Sequence, residues 1–433
     1  MRGRWGDGRP GIEAWPPLSP GPSPRGGEGR RRARASYRVP SPPGGRDRER
    51  GSPHQTLHPF RALAADPFGP ARAAKAAGRK VVGHVGPAVP TDLIRAAGLV
   101  PVPLAGRPDG PTDTADRWLD DVFDGDVRSL ADDILTGRHG WLDLIVIPRG
   151  YEPHLQLIYA LEEIRRLEPG LRFPEIVLLD LLGSPHWRTE RWNRTRLALF
   201  RDRLAALAGA PVADDALRAA MDAEAGVRRR LRAAAALRHQ VPPRLSGADA
   251  LAILAAPAFV PPETVVPWLD ALLAEPPPPL PAGRPRLMLK GLGFDAPSLH
   301  ALIADTGADV VADDHPWGDP LADRGDPGAG DPLDVLADQM LREVATPRSF
   351  PQAVQDRRMM DRVRAAGVDG VLVVLPEHDD TLGWDWPGQK AMLEAAGVPA
   401  VLVLNQPFAS PDGVALRAAV ADLLDRIAAR RAA

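Results

Sequence analysis

The 433-residue sequence predicts an α/β protein with two lobes, each a doubly wound parallel sheet of Rossmann or flavodoxin-like type. Two observations carry this prediction. Short Val/Leu runs of strand length alternate with helical segments that end at glycine, which is typical of βαβ units. A long Ala/Leu/Arg-rich stretch then interrupts the alternation, so the strands fall into two groups joined by a helical segment.

The first 57 residues are expected to form a disordered, dispensable leader. Residues 1–50 contain 19 Gly and Pro residues and carry 12 Arg against 5 acidic residues, a net charge of +7 that leaves −9 on the remainder. Such a segment buries too little apolar surface to offset the entropy cost of ordering. A basic arm that binds nucleic acid is the alternative. Because the rest of the chain is mildly acidic, we expect no nucleic-acid partner.

The first α/β lobe is expected over residues 75–184. A strand is predicted at 80–85, followed by a helix at 92–97 that Thr91 caps and an extended segment at 99–104. The glycine that follows the helix suits the left-handed turn that closes helices. Strands that are apolar on both faces are typical of parallel sheets covered on both sides.

A helical segment and a Pro-rich spacer are expected over residues 185–280, and a second α/β lobe over 281–433. The long helices are predicted at 188–208, 214–238 and 246–255. The second lobe is predicted to open with a strand at 285–291. Pairs of helix and strand that share a connecting glycine then recur at 302–312, 362–375 and 391–404.

Composition excludes several kinds of chemistry. The chain has no cysteine, so it forms no disulfide and offers no thiolate nucleophile or thiolate metal ligand. No apolar run reaches the roughly 20 residues of a membrane helix, and no secretory signal is visible, so we expect a cytoplasmic protein without a membrane partner. The nucleophile elbow, the phosphate loop and the dinucleotide fingerprint are all missing from the sequence.

Two loops are the first places to look for a functional site. Residues 143–151 (DLIVIPRGY) and 369–379 (DGVLVVLPEHD) each combine an acidic residue, an apolar strand, a proline and a polar loop. In open α/β sheets, ligands bind outside the carboxyl ends of the strands. His84 is read either as a hydrogen-bonded residue at a strand end or as a pocket residue. His315 is read either as part of a structural turn or as a ligand contact. The pocket candidates are His84, Arg149, Glu152, His315, His378 and Asp380.

Six segments in order resemble the motifs of one family, the large subunits of the 2-hydroxyacyl-CoA dehydratases and of benzoyl-CoA reductase. The resemblance runs from about residue 80 to the C-terminal region. The segments are residues 82–94 (VGHVGPAVPTDLI), 96–98 (AAG), 242–247 (PPRLSG), 310–314 (VVADD), 368–371 (VDGV) and 397–399 (GVP).

This resemblance implies a pair of related subunits, each with two α/β lobes that hold an iron–sulfur cluster through three cysteines at the lobe interface. An ATP-dependent activator supplies an electron, and an acyl-CoA thioester is dehydrated or reduced. In this chain the positions equivalent to the cluster ligands hold Asp124, Tyr151 and Asp379. Because iron–sulfur clusters need soft thiolates, we expect no cluster and predict no other cofactor on this chain.

Two functional hypotheses remain. In the first, the chain is an acyl-CoA-handling subunit that acts as partner or scaffold, in a homo- or heterodimer with a family homologue, and the homologue bears the cysteines. In the second, it is a divergent enzyme whose Asp124, Tyr151 and Asp379 act as acid, base or ligands of a hard metal. Both predict that these three side chains lie within about 10 Å of one another. Arg149 is the expected counter-charge, and Arg128 is the next candidate.

Overall fold

Two four-stranded parallel sheets organise the computed structural model, which describes residues 54–108, 110–292, 296–344, 351–379, 381–408 and 413–432. The strands are β1 (Val81–Val85), β2 (Val100–Leu104), β3 (Leu144–Pro148), β4 (Ile176–Leu179), β5 (Arg286–Gly291), β6 (Asp309–Asp314), β7 (Gly370–Pro376) and β8 (Ala400–Gln406). We call the part built on β1–β4 the first lobe and the part built on β5–β8 the second lobe.

Fourteen α-helices accompany these strands in the described part of the chain. They are α1 (His58–Ala65), α2 (Gly69–Ala76), α3 (Thr91–Ala96), α4 (Gly125–Leu135), α5 (Glu152–Leu167), α6 (Trp187–Ala208), α7 (Asp214–His239), α8 (Gly247–Phe259), α9 (Pro262–Ala274), α10 (Ala296–Asp305), α11 (Pro332–Arg342), α12 (Gln352–Ala365), α13 (Leu382–Ala395) and α14 (Gly413–Ala432). Short 3-10 helices lie at Gln55–Leu57, Ala115–Arg117 and Asp319–Ala322. None of the described helices has the length and apolar character needed to cross a bilayer.

The two sheets share one topology. Their strand orders are β2-β1-β3-β4 and β6-β5-β7-β8, and all neighbouring strands are parallel. In each sheet the chain first forms an inner strand and then the edge strand beside it. It then crosses over and forms the two strands on the other side of the first strand. The strand order therefore reverses beside β1 and beside β5, where doubly wound sheets bind ligands. The predicted fold class is confirmed.

Both faces of each sheet are buried. In β3, Ile145 and Ile147 enter one hydrophobic core, whereas Leu144 and Val146 enter another on the opposite face. In β7 the same alternation places Val371, Val373 and Leu375 in one core and Leu372 and Val374 in the other. Alternate side chains of a strand point to opposite faces. Continuous apolar strands are therefore the sequence pattern that a sheet covered on both sides requires.

Glycines close several helices as predicted. Gly98 follows α3 with φ +73°, and Gly397 follows α13 with φ +69°. Glycine adopts this left-handed conformation without the steric cost that a Cβ would bring. The predicted cap at Thr91 is wrong, because Pro90 occupies the N-cap position of α3 and no side chain caps this helix end.

The beginning of the folded chain differs from the prediction. Residues 1–53 of the expected leader lie outside the described residues. Residues 55–57, however, form a 3-10 helix, and Leu57 is 4% exposed in a core that also contains Phe60 and Leu63 of α1. Residues 55–57 therefore belong to the folded chain and not to the expected leader. The sequence analysis missed α1 and α2, which come before the expected start of the first lobe.

The helical segment and the second lobe both contribute to the core of the first lobe. Helix α7 places Leu217 and Met221 on one face of the first sheet. Helix α11 comes after β6 in the chain, yet Leu333 and Leu336 pack on that same face. Consistent with this mixing, Ser52–Ala433 forms one compact unit. The predicted boundary at residue 281 marks the start of the second sheet rather than a separation of the cores.

A buried ion pair also joins the two lobes. Arg324 follows the 3-10 helix after β6, and its guanidinium donates to both carboxylate oxygens of Asp92 in α3, each at 2.6 Å. Asp92 is fully buried. Removing one partner of such a pair leaves an uncompensated charge in the protein interior.

We predict that Asp92→Ala lowers the free energy of unfolding by about 3–5 kcal/mol, because Arg324 then keeps its charge without the buried carboxylate that pairs with it. Denaturant unfolding at neutral pH measures this loss. Glu163→Ala is the control, since Glu163 pairs with Arg166 on the surface of α5, and we expect it to leave stability unchanged. Equal stabilities of the two variants would contradict the prediction.

Candidate functional site

A cavity of about 420 Å³ lies where the carboxyl ends of strands from both lobes meet. The first lobe contributes the segments that follow β1, β2 and β3, and the second contributes those that follow β5, β6 and β8. Helix α8 covers part of the cavity with Leu251, Ala255 and Phe259. Of the two loops in which a ligand was expected, residues 143–151 contribute to the lining, whereas residues 369–379 do not occur among the described lining residues. The volume lies in the range of roughly 300–1,000 Å³ that is usual for small-molecule sites.

Two of the three residues that the resemblance places at cluster-ligand positions are in direct contact. Asp124 precedes α4, Tyr151 precedes α5, and the Tyr151 hydroxyl donates a hydrogen bond to the Asp124 carboxylate. Both residues are buried, and Tyr151 lines the cavity. Burial, followed by the negative charges of Asp124 and Asp126, raises the pKa of the Tyr151 hydroxyl. Tyr151 is therefore a neutral hydrogen-bond donor.

Asp379, the third position, lies in the turn between β7 and α13. Its carboxylate accepts hydrogen bonds from the backbone N–H groups of Leu382 at 3.0 Å and Gly383 at 2.6 Å. It is also close enough to Tyr151 for its charge to contribute to the raised pKa of the hydroxyl. Asp379 therefore satisfies the backbone donors at the start of α13.

These three side chains do not fit an iron–sulfur cluster. Two carboxylates and a neutral phenol are hard oxygen donors, whereas the irons of such a cluster require thiolates or, at some positions, imidazoles. The arrangement is also not that of a ligand set for a hard metal. Tyr151 holds its proton toward Asp124, and Asp379 is bound to backbone N–H groups.

The expected counter-charges are wrong. Arg149 forms an ion pair with Asp180, and Arg128 forms one with Asp116 at 2.6 Å. The local sequence places Arg149 beside the loop, but its side chain turns toward the loop that follows β4. The Tyr151 hydroxyl is the observed partner of Asp124 instead.

Sequence reasoning missed two titratable residues that line the cavity. Asp126 lies in the first turn of α4, and burial together with the charge of Asp124 raises its pKa to about 7. His154 lies in the first turn of α5, with its ring 5.1 Å from that of Tyr151, and burial lowers its pKa to about 4. Their positions in the sequence could have indicated them. Asp126 lies two residues after Asp124 and His154 lies three residues after Tyr151, each at the start of a helix.

The remaining candidates lie elsewhere, with one exception. His84 is buried beside a second cavity of about 130 Å³, and burial lowers its pKa to about 4. Its Nδ1 lies 3.1 Å from the Gly86 carbonyl oxygen. Among the described residues that line the main cavity, neither Glu152 in α5 nor the exposed His378 after β7 occurs. Asp380 lies outside the described residues.

His315 is the candidate that lines the main cavity, and a buried network holds it there. Asp313 lies 2.9 Å from Nε2 of His300 and 3.3 Å from Nε2 of His315, and Arg238 donates to its other oxygen at 2.5 Å. Although burial alone would raise it, the neighbouring His300 and Arg238 hold the pKa of Asp313 well below its ordinary value.

The donor atoms of His300, Asp313 and His315 all lie within 4.8 Å of one another, and two imidazoles with one carboxylate are a common metal-binding set. Two contacts favour a hydrogen-bonded network instead. The Trp317 N–H donates to Nδ1 of His315 at 3.3 Å, which leaves the ring proton on Nε2, facing Asp313. Arg238 already neutralises the carboxylate.

Comparison with known proteins gives one match. The family model of the 2-hydroxyglutaryl-CoA dehydratase D-component matches residues 88–426. No curated protein matches the chain. The matched region contains seven of the eight strands and every candidate site residue except His84.

We predict that Asp126→Asn stabilises the protein in a pH-dependent way. The folded protein holds the Asp126 proton up to a pKa of about 7, whereas the unfolded chain releases it near the ordinary carboxyl pKa. Wild-type stability therefore falls as the pH rises between these two values, and the amide variant escapes this loss. We expect the variant to be about 1–3 kcal/mol more stable than wild type at pH 8 and about equal at pH 4.

Denaturant unfolding between pH 4 and pH 8 measures the difference. Asp222→Asn, at an exposed position of α7, provides the control and should show no such trend. A stability difference that stays constant across this range for Asp126→Asn would count against the raised pKa.

Proposed function

The chain belongs to the family of the 2-hydroxyglutaryl-CoA dehydratase D-component, and from this we propose that it is an acyl-CoA-handling subunit of a dehydratase-type system. The observation that carries the proposal is the cavity between the lobes. It lies at the carboxyl ends of strands in both sheets, where doubly wound folds bind ligands, and it is large enough for an acyl group. The acyl portion of the thioester would occupy this cavity.

The proposal includes a division of labour between subunits. The chain has no cysteine, and the positions equivalent to the cluster ligands carry hard oxygen donors that are already hydrogen-bonded. Electron transfer through an iron–sulfur cluster would therefore depend on a homologous subunit that bears cysteines. In this proposal the present chain forms a dimer with that homologue and shapes the acyl-CoA pocket.

A second candidate is a divergent enzyme that performs acid–base chemistry on a thioester. Asp126 favours it, because this carboxyl group lines the cavity and its pKa of about 7 lets it take up or release a proton near neutral pH. Tyr151 would serve as a hydrogen-bond donor beside it. Turnover of an acyl-CoA by the isolated chain, abolished in Asp126→Asn, would favour this candidate over the first.

We predict that the isolated protein binds a simple acyl-CoA such as pentanoyl-CoA, and that Ala255→Phe weakens this binding at least tenfold because the ring occupies the cavity. Isothermal titration calorimetry measures the affinity, with free CoA as the reference ligand. Ala219→Phe, at an exposed position of α7, is the matched control and should bind like wild type. Failure of acyl-CoAs to bind, or equal affinity of the two Phe variants, would contradict the proposal.

We also predict that the isolated protein shows no iron–sulfur absorption band after anaerobic reconstitution, because no thiolate is available. Coexpression with a cysteine-bearing homologue should give a stable complex in which the cluster is present. Iron and sulfide assays on both preparations make the comparison. A brown isolated protein with equal amounts of iron and sulfide would overturn the division of labour between the subunits.

A further inference from the structure

The walls of the main cavity are mostly apolar. Helix α8 presents Leu251 and Phe259, α4 presents Leu130, and Phe68 and Trp317 approach from loops. An acyl group that enters the cavity therefore leaves water for contact with hydrocarbon and aromatic surface. Such a transfer favours an apolar group and opposes a charged one that finds no partner.

Arg107 is the one Lys or Arg among the described residues that line the cavity, and its charge is already compensated. Its guanidinium donates to both oxygens of Asp133, through Nε at 2.8 Å and through a terminal nitrogen at 2.7 Å. Asp133 is 2% exposed, so the carboxylate of this ion pair is buried in the protein. A ligand carboxylate would have to compete with this bidentate partner, and Asp133 would then keep only the longer ion pair with Arg138 at 3.5 Å.

The other polar groups of the lining do not supply a positive charge. Asp126 contributes a carboxyl group. The Tyr151 hydroxyl donates a hydrogen bond to Asp124, so the negative charge of Asp124 lies next to this hydroxyl. His154 is neutral because burial lowers its pKa to about 4. The nitrogens of His315 face Asp313 and the Trp317 N–H. The cavity therefore opposes an additional negative charge.

We propose that the cavity selects thioesters whose acyl group is neutral and apolar and rejects those that carry a carboxylate at the far end. This inference rests on the proposed function, since it assigns the substrate class of the same cavity. The substrate class proposed for this chain differs from the thioester in the family's name, because the 2-hydroxyglutaryl group ends in a carboxylate.

Two thioesters of equal chain length test the selection. Pentanoyl-CoA and glutaryl-CoA differ at the far end of the acyl group, where one has a methyl group and the other a carboxylate. Calorimetric titration of the full-length protein at pH 8 should show at least tenfold tighter binding of pentanoyl-CoA. Glutaryl-CoA binding as tight as that of pentanoyl-CoA would overturn this inference and leave the proposed function intact. If neither thioester binds, the proposed function itself fails.

Two variants test the electrostatic cause. Asp126→Asn removes a negative charge from the cavity, and Ala255→Arg adds a positive one, so both should reduce the preference for pentanoyl-CoA several-fold. The matched controls, Asp222→Asn and Ala219→Arg, make the same changes at exposed positions of α7 and should keep the wild-type ratio. Circular dichroism establishes that each variant is folded. Unchanged ratios in both folded cavity variants would overturn the electrostatic explanation.

Discussion

The burial of one guanidinium constrains much of this structure. Arg238, near the end of α7, is fully buried and binds Asp313 at the end of β6 and Asp319 in the following 3-10 helix. A charge that is shielded from water is stable only when groups of opposite charge pair with it. Helix α7, strand β6 and the 3-10 helix must therefore come together in the arrangement that forms these ion pairs. Because α7 also packs on the first sheet through Leu217, the same contact relates the two lobes and holds His315 at the cavity.

Three oxygen-bearing side chains from both lobes approach one another around Tyr151. They are Asp124, Tyr151 and Asp379. Their side chains, however, satisfy one another and the backbone rather than a soft metal ion. This packing raises the pKa of Asp126, since a half-buried carboxyl group beside a second carboxylate favours its protonated form. An apolar wall with a neutralised Arg107 completes a pocket suited to uncharged groups.

Family membership and site chemistry together define the functional proposal. The match to the dehydratase D-component extends over both lobes, yet this chain has no thiolate to offer. The family match and the absence of thiolates are both explained if this chain binds the acyl group in its cavity and another subunit performs the redox step. This chain then needs no catalytic chemistry of its own. The raised pKa of Asp126 is the observation that keeps an acid–base role open as the competing explanation.

The sequence by itself determined the fold class, most strand positions, the family and one loop that lines the cavity, residues 143–151. These features depend on local periodicity and on glycine at helix ends, which neighbouring residues encode. Only the tertiary structure decided that Arg149 pairs with Asp180, that Asp379 binds the start of α13, and that Asp126 lines the cavity. Side-chain partners and pKa values depend on burial and on charges brought together by packing. No local pattern in the chain records these long-range contacts.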